Sequence, residues 1–222
     1  MRISIITDDT KVKLPVFNKW KLKFSKGIDI RKDTTIKSRL SEYNTKYPCD
    51  DIENESQFKK ILHDFIRPAN QMYGGMFTEV RYFGQKLSSL MPTQINFISG
   101  RYGLISENQE IIPYYYQIET TKHLEVADNK LQICEKINRI LENNEIILFL
   151  LPKQYVEYFI KNGIFRKNLN KTHLIVVSSD EFREYFSQIP NVLFLRRIGV
   201  ARIGEGNRKK ILEYINKICY KS

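Results

Sequence analysis

Gln94-Ile95-Asn96-Phe97-Ile98-Ser99-Gly100-Arg101-Tyr102-Gly103-Leu104-Ile105 begins as an apolar strand, Gln94 to Ile98, and breaks at once into a polar turn. Two glycines, a hydroxyl, an arginine and a tyrosine at that point build a loop on the carboxyl edge of a sheet, where open α/β sheets bind their ligands. Outward from it, strand and helix alternate. Toward the N-terminus, Arg2 to Ile6 reads as a short buried strand whose carboxyl-end loop is Thr7-Asp8-Asp9-Thr10-Lys11. Helical spacing follows from Ser56 to Pro68 (Phe58, Ile61, Leu62, Phe65) and from about Met76 (Met76, Val80, Phe83, Leu87, Leu90). Toward the C-terminus the pattern predicts a helix from about Asp128 to Glu142, a strand Glu145 to Leu151 and a helix starting at Pro152, which suits a first-turn position. A strand Thr172 to Val177, a short helix from Ser179 or Asp180, a strand Val192 to Leu195 and a closing helix from Asn207 complete the series. This order predicts an α/β fold, a mostly parallel sheet with helices on both faces, in a single domain over residues 1–222.

The stretch 12–55 interrupts the pattern as a basic N-terminal insertion or loop lobe. Lys19-Trp20-Lys21-Leu22-Lys23-Phe24 alternates strictly, so a strand there carries Trp20, Leu22 and Phe24 on one face and three lysines on the other. Gly27 to Glu55 is polar and without clear periodicity, and is expected to be a long loop.

The chain has 36 Lys and Arg against 25 acids, a formal net charge of +11, and the excess is uneven. Eleven basic residues face three acids between Lys11 and Tyr47, and eight face two between Arg196 and Ser222. Positive charge clustered near both ends of a folded chain is the footprint of a polyanion partner; a solvated lysine-rich surface is the alternative. With 42% hydrophobic residues the chain is not disordered, and no apolar run approaches the roughly 18 residues of a membrane span. The N-terminus turns polar too soon for a signal segment, so a cytoplasmic protein that does not enter a membrane is expected. Cys49, Cys134 and Cys219 are scattered, as are His63, His123 and His173, so neither disulfides, nor a metal site, nor a cofactor is expected.

Candidate site residues come from the loops at strand ends. Asp8 and Asp9 supply carboxylates that can stabilise positive charge on a sugar as an N-glycosidic bond breaks, Asp8 being the preferred one; Asp180 reads better as a helix-start residue. Tyr102 offers a stacking face and a hydroxyl beside the catalytic carboxylates, or else plugs the core beneath the turn. Ser99 and Arg101 offer donors to phosphate or a base edge. Near the C-terminus Arg202, Gly204, Gly206, Asn207, Arg208 and Lys209 combine a glycine-bearing turn, a helix N-terminus and three cations, a phosphate site if the turn faces the ligand and a tight strand-to-helix connection otherwise. Lys11, Lys19, Lys21 and Lys23 extend the phosphate-binding set. Tyr73 and Tyr114 either stack bases or line a core edge.

Several of these stretches also carry a family resemblance. Ser99-x-x-Tyr102-Gly103-Leu104 followed by Pro113-Tyr114, Pro68-Ala69 with Tyr73-Gly74-Gly75 and Phe77, and Gly199-x-x-Arg202-Ile203-Gly204-Glu205-Gly206-Asn207-Arg208 resemble, in order, the YaaA-like family of peroxide-stress proteins and their short relatives. The opening strand followed by Lys11 is similar too, although Thr7-Asp8 replaces the Ser-Cys or Pro-Cys often found there. The likeness covers most of the chain outside Val12 to Glu55. It implies DNA binding, single-stranded or with an extruded base, and protection against oxidative DNA damage, in a fold neighbourhood of enzymes acting on nucleobases. The function expected is therefore release of a damaged or modified base from DNA by glycosylase-like hydrolysis, in repair or defence. Two alternatives are a non-catalytic DNA-binding stress protein and an enzyme for free nucleosides or nucleotides.

Overall fold

The computed structural model of the chain describes residues 1–15, 27–166 and 171–219. In chain order its elements are β1 (Ile3–Asp8), α1 (Thr34–Glu42), α2 (Glu55–Ile61), β2 (Arg67–Pro68), α3 (Ala69–Met72), α4 (Phe77–Ser88), β3 (Thr93–Ser99), β4 (Gly103–Ser106) and β5 (Glu110–Ile111). They continue as α5 (Thr121–Leu131), α6 (Ile133–Asn143), β6 (Ile146–Leu150), α7 (Lys153–Lys161), β7 (His173–Ser178), α8 (Arg183–Ser187), β8 (Val192–Arg196) and α9 (Glu205–Cys219). The fold is α/β: a six-stranded sheet in the order β4-β3-β1-β6-β7-β8, parallel except for β4. β2 and β5 form a separate antiparallel pair.

β1 lies between β3 and β6, with Ile5 opposite both Ile95 and Leu148. All six of its residues and all five of β6 are buried, because helices cover both faces of the sheet and leave no polar side for alternation. The period-two pleat divides their side chains between two cores. Ile5, Leu148 and Ile175 pack with Val80, Phe83 and Leu87 of α4 and with Ile211 and Ile215 of α9. Ile6, Phe149 and Val176 pack with Ile137 and Leu141 of α6 and with Val156 and Phe159 of α7. Truncating a fully buried residue such as Ile5 to alanine removes contacts to that core and costs about 2–5 kcal/mol.

Three local features depart from the sequence expectations. The polar stretch Gly27 to Glu55 is not a featureless loop. Asp33 caps α1, its carboxylate accepting the Ile36 N–H at 2.9 Å, and Ile36 and Leu40, one turn apart, are buried. The single helix expected from Asp128 to Glu142 is two, α5 and α6, because Gln132 adopts a left-handed conformation (φ 55°) between them. Asp128 braces that break by accepting the Cys134 N–H at 2.7 Å. The turn after Ser99 is a hairpin: β4 returns antiparallel to β3, and Gly103 takes a φ of +71° that an L side chain rarely adopts. The alternating segment with Lys19, Lys21 and Lys23 lies outside the described residues.

Candidate active site

The parallel strands β1, β3, β6, β7 and β8 all end on one edge, and the loops leaving them hold two adjoining polar clusters. The first is built on the loop after β1. Asp8 and Asp9 are both buried but do different things. Asp8 forms an ion pair with Arg202, whose guanidinium also donates to the carbonyls of Asp8 at 3.0 Å and Asp9 at 3.2 Å. Arg202, expected to bind phosphate, is 5% exposed and is committed to holding the end of β1.

Among the described residues Asp9 has no such counter-ion in contact. Its Oδ2 accepts the Tyr114 hydroxyl at 2.5 Å, and its Oδ1 has no hydrogen-bond partner among the described residues. The oxygen of Tyr114 in turn lies 2.8 Å from the hydroxyls of both Tyr73 and Ser99. Since Tyr114 donates its one proton to Asp9, the other two hydroxyls donate to Tyr114. Burial pushes the Asp9 carboxyl up to about 6, against the opposing pull of Lys13 and of the Tyr114 hydrogen bond. The phenols of Tyr73, Tyr114 and Tyr155 are raised well above their ordinary value, chiefly by burial and next by the nearby aspartates. Tyr155, on α7, is within electrostatic range of Asp8 and Asp9, and its hydroxyl also lacks a hydrogen-bond partner among the described residues.

Lys13 completes this cluster. It is 1% exposed, its Nζ donates to the Thr10 carbonyl at 2.7 Å, and the ammonium sits 4.0 Å from the centre of the Tyr114 ring. Burial lowers its pKa to about 8, although Asp9 and Asp29 favour the charged form. Backbone bridges from Lys13 to Ile28 and to Tyr73 hold it in place. It lines a cavity of about 230 Å³ together with Lys11, Tyr115, Tyr116, Gln117 and Glu119. Ligand cavities span about 300–1,000 Å³, so this one suits a small flat group rather than an extended ligand.

The second cluster organises the turn after β3. Ser99 Oγ accepts the N–H groups of Arg101 at 3.2 Å and Tyr102 at 3.1 Å, which closes the turn. Arg101 is fully buried and pairs with Asp51 and Glu55, and its Nη1 donates to the Cys49 carbonyl at 2.9 Å. The Tyr102 hydroxyl donates to Glu55 at 3.0 Å and accepts the Ile112 N–H at 3.2 Å. Both side chains therefore tie the turn to the 49–55 segment. The Tyr102 ring meets the first cluster edge-on, 5.5 Å from the Tyr114 ring centre, and its N–H reaches the same cluster through Ser99.

The sequence places Asp8, Arg101, Tyr102 and Arg202 around one cleft. They share the carboxyl edge, but Asp8 and Arg202 neutralise each other while Arg101 and Tyr102 serve the second cluster. Tyr73 and Tyr114, read as base-stacking candidates, are interior hydroxyl donors, 0% and 1% exposed. The turn at Gly204 presents its N–H groups to Glu79 rather than to solvent. Asn207 is held by its amide to the Arg196 and Ile203 carbonyls, both at 2.8 Å, while Gly206 is exposed. Arg208 and Lys209 face a separate cleft of about 330 Å³ between α4 and α9, with Tyr82 and Lys86. Among the described phosphate-binding candidates, Lys11 is the one that lines the cavity beside Lys13.

Sequence reasoning passed over Lys13, Glu55, Glu79 and Tyr155. For Lys13 a signal was present: it is the basic residue flanked by Val12 and followed by Leu14-Pro15, an apolar setting unlike that of the other lysines nearby. Among the described residues there is no group of three or more His, Cys, Asp or Glu able to hold a metal, and no helix long and apolar enough to cross a membrane. No family model, curated protein or solved structure matches the chain.

Proposed function

We propose that this protein is a YaaA-like, DNA-acting enzyme of the cytoplasm that releases a damaged or modified base by cleaving its N-glycosidic bond, with Asp9 as the working carboxylate. The observation that carries this reading is Asp9 itself: a wholly buried carboxylate at the carboxyl end of a central parallel strand, with one oxygen unpartnered among the described residues and its proton affinity raised to about 6. Cleavage develops positive charge on the sugar. An ionised Asp9 stabilises that charge and accepts a proton from the incoming water, two roles that a carboxylate already neutralised by arginine fills less well. Tyr115 and Tyr116 furnish aromatic walls to the adjoining cavity, suited to the face of a flat ring. The uneven positive charge supports a DNA substrate, and Lys11 at the cavity provides a cation for the neighbouring phosphate.

The test is incubation with oligonucleotides carrying a panel of oxidised and otherwise modified bases, reading released base and abasic sites. Asp9→Asn should abolish most release, by about two to four orders of magnitude, while DNA affinity stays within a fewfold. No release across the panel would overturn the reading and favour a DNA-binding module without catalysis. Release from free nucleosides but not from DNA would instead favour the nucleoside enzyme.

A further inference from the structure

Lys13 differs from Arg101 and Arg202, the two buried arginines of this edge, in what surrounds it. Arg202 and Arg101 are matched by carboxylates in contact, whereas Lys13 forms no ion pair among the described residues and rests on the Thr10 carbonyl and the Tyr114 ring. A buried ammonium without a contact counter-ion is costly, and the cost falls when the group gives up its proton. The resulting amine has a free electron pair, and the residue that carries it is held by backbone bridges to Ile28 and Tyr73 and is one of those lining the cavity. Those are the conditions that turn a lysine from a charge into a nucleophile. Asp9 and Lys13 meet on the same side chain, the carboxylate at the Tyr114 hydroxyl and the ammonium over the Tyr114 ring, and Asp9 favours the charged form of Lys13, so it is the carboxylate placed to receive the proton that the amine sheds.

We propose that Lys13 Nζ is the covalent nucleophile of the site, attacking C1′ of the sugar whose base is released and forming an imine with it. This rests on the base-release function proposed above. In the first step the Nζ–C1′ bond forms as the C1′–N bond to the base breaks; the bonding pair leaves with the base, which takes the proton that Asp9 drew from the ammonium. Nζ, now carrying two hydrogens and a positive charge, loses one proton to the freed Asp9 carboxylate, which passes it to O4′ as the C1′–O4′ bond breaks, and a C1′=Nζ iminium remains. Water adds to C1′, expels the amine and regenerates Lys13. Nothing is oxidised or reduced in the cycle, so it calls for no redox partner.

The imine is trapped by reduction. The full-length protein is incubated with an oligonucleotide containing one abasic site, whose C1′ aldehyde is the reacting carbon, in the presence of sodium borohydride; a denaturation-resistant protein–DNA adduct is expected. Peptide mass spectrometry should place it on Lys13, which requires no altered protein. Lys13→Gln and Lys13→Met should yield no adduct at this position, and Asp9→Asn should slow its formation by about two to four orders of magnitude. An adduct confined to Lys11, to other surface lysines or to the N-terminus, or no adduct, would overturn the proposal. Base release without trapping would overturn the covalent role alone and leave the glycosylase function standing. Trapping at Lys13 without release of any base would uphold the amine chemistry and overturn that function.

Discussion

Glu79, on α4, fills with its carboxylate the turn that Gly204 opens: Oε1 accepts the Gly204 N–H at 2.7 Å, while Oε2 accepts those of Arg202 at 2.9 Å and Ile203 at 3.1 Å. Gly204, at φ +83°, permits the backbone to present consecutive donors to one anion. The turn that the sequence offers as either a phosphate site or a tight strand-to-helix connection does line up backbone donors, and they are taken by the protein's own carboxylate.

Removing that carboxylate should therefore have two effects. Glu79→Ala leaves three backbone donors without their acceptor and should lower stability by about 1–3 kcal/mol, read as a reduced urea midpoint. Inorganic phosphate should restore part of that stability in the variant and add little to the parent protein. Equal responses of both to phosphate would show that the turn does not take up an anion when vacated.

Asp9 should impose a pH dependence on folding. Its native pKa, about 6, lies above its ordinary value of 3.8, so the native state holds the proton more tightly than the unfolded chain. Its contribution is complete below about pH 3.8 and is lost as pH rises through about 6, a swing of about 3 kcal/mol. The stability of the parent relative to Asp9→Asn should thus fall across that window in denaturant titrations. A difference that stays flat from pH 4 to 6.5 would refute the raised carboxyl.

For Lys13 the sign is opposite. A native pKa of about 8 against 10.5 means that its contribution is complete above 10.5 and declines as pH falls through about 8. Stability relative to Lys13→Met should rise between pH 8 and pH 10.5, measured by the same titrations. If the amine is the nucleophile, imine formation should rise with pH through about 8 as well.

Arg101 offers a control that separates architecture from ligand binding. Its guanidinium is held by Asp51 and Glu55, so Arg101→Ala leaves Asp51 to the Cys49 N–H and Glu55 to Lys59 and the Tyr102 hydroxyl, and should cost about 3 kcal/mol. If the protein binds DNA as proposed, the salt dependence of that binding should be unchanged in any fraction that remains folded. A shallower slope would show that Arg101 reaches phosphate after all.

Arg208 and Lys209, by comparison, line the cleft beside the exposed Tyr82. If both bind duplex phosphates, replacing them with glutamine should reduce the log–log salt slope by about 0.9 for each phosphate that is no longer neutralised, with little change in stability. An unchanged slope would remove the α4–α9 cleft from the DNA-binding surface.

The layered fold was legible because its signals are local: β1, β3, β6 and β7 are short apolar runs, and α4 and α9 carry apolar residues at three- and four-residue spacing. α1 escaped notice because its buried stripe is only Ile36 and Leu40, although Asp33 marks its start. In the candidate site, the loops named from the sequence do gather at one edge of the sheet, but their pairings were not foreseen. That Arg202 would meet Asp8 and Arg101 would meet Glu55 depends on partners 194 and 46 residues apart, which composition and spacing do not encode. The same limit hid Lys13, whose character comes from burial rather than from the charge it shares with its neighbours.

The grip of Arg202 on the Asp8 and Asp9 carbonyls bears on how the site comes into being during synthesis. Asp9 and Lys13 leave the ribosome early, yet the guanidinium that fixes their loop is made 193 positions after Asp9. At about 5–20 residues per second, that interval is roughly ten to forty seconds. A nascent chain stalled short of residue 202 already has the partners that hold the Asp9 N–H and carboxylate, Ile98 and Tyr114, but lacks the guanidinium that grips the Asp8 and Asp9 carbonyls. Emergence of the Arg202 turn is thus the event that adds the last of these restraints to the loop.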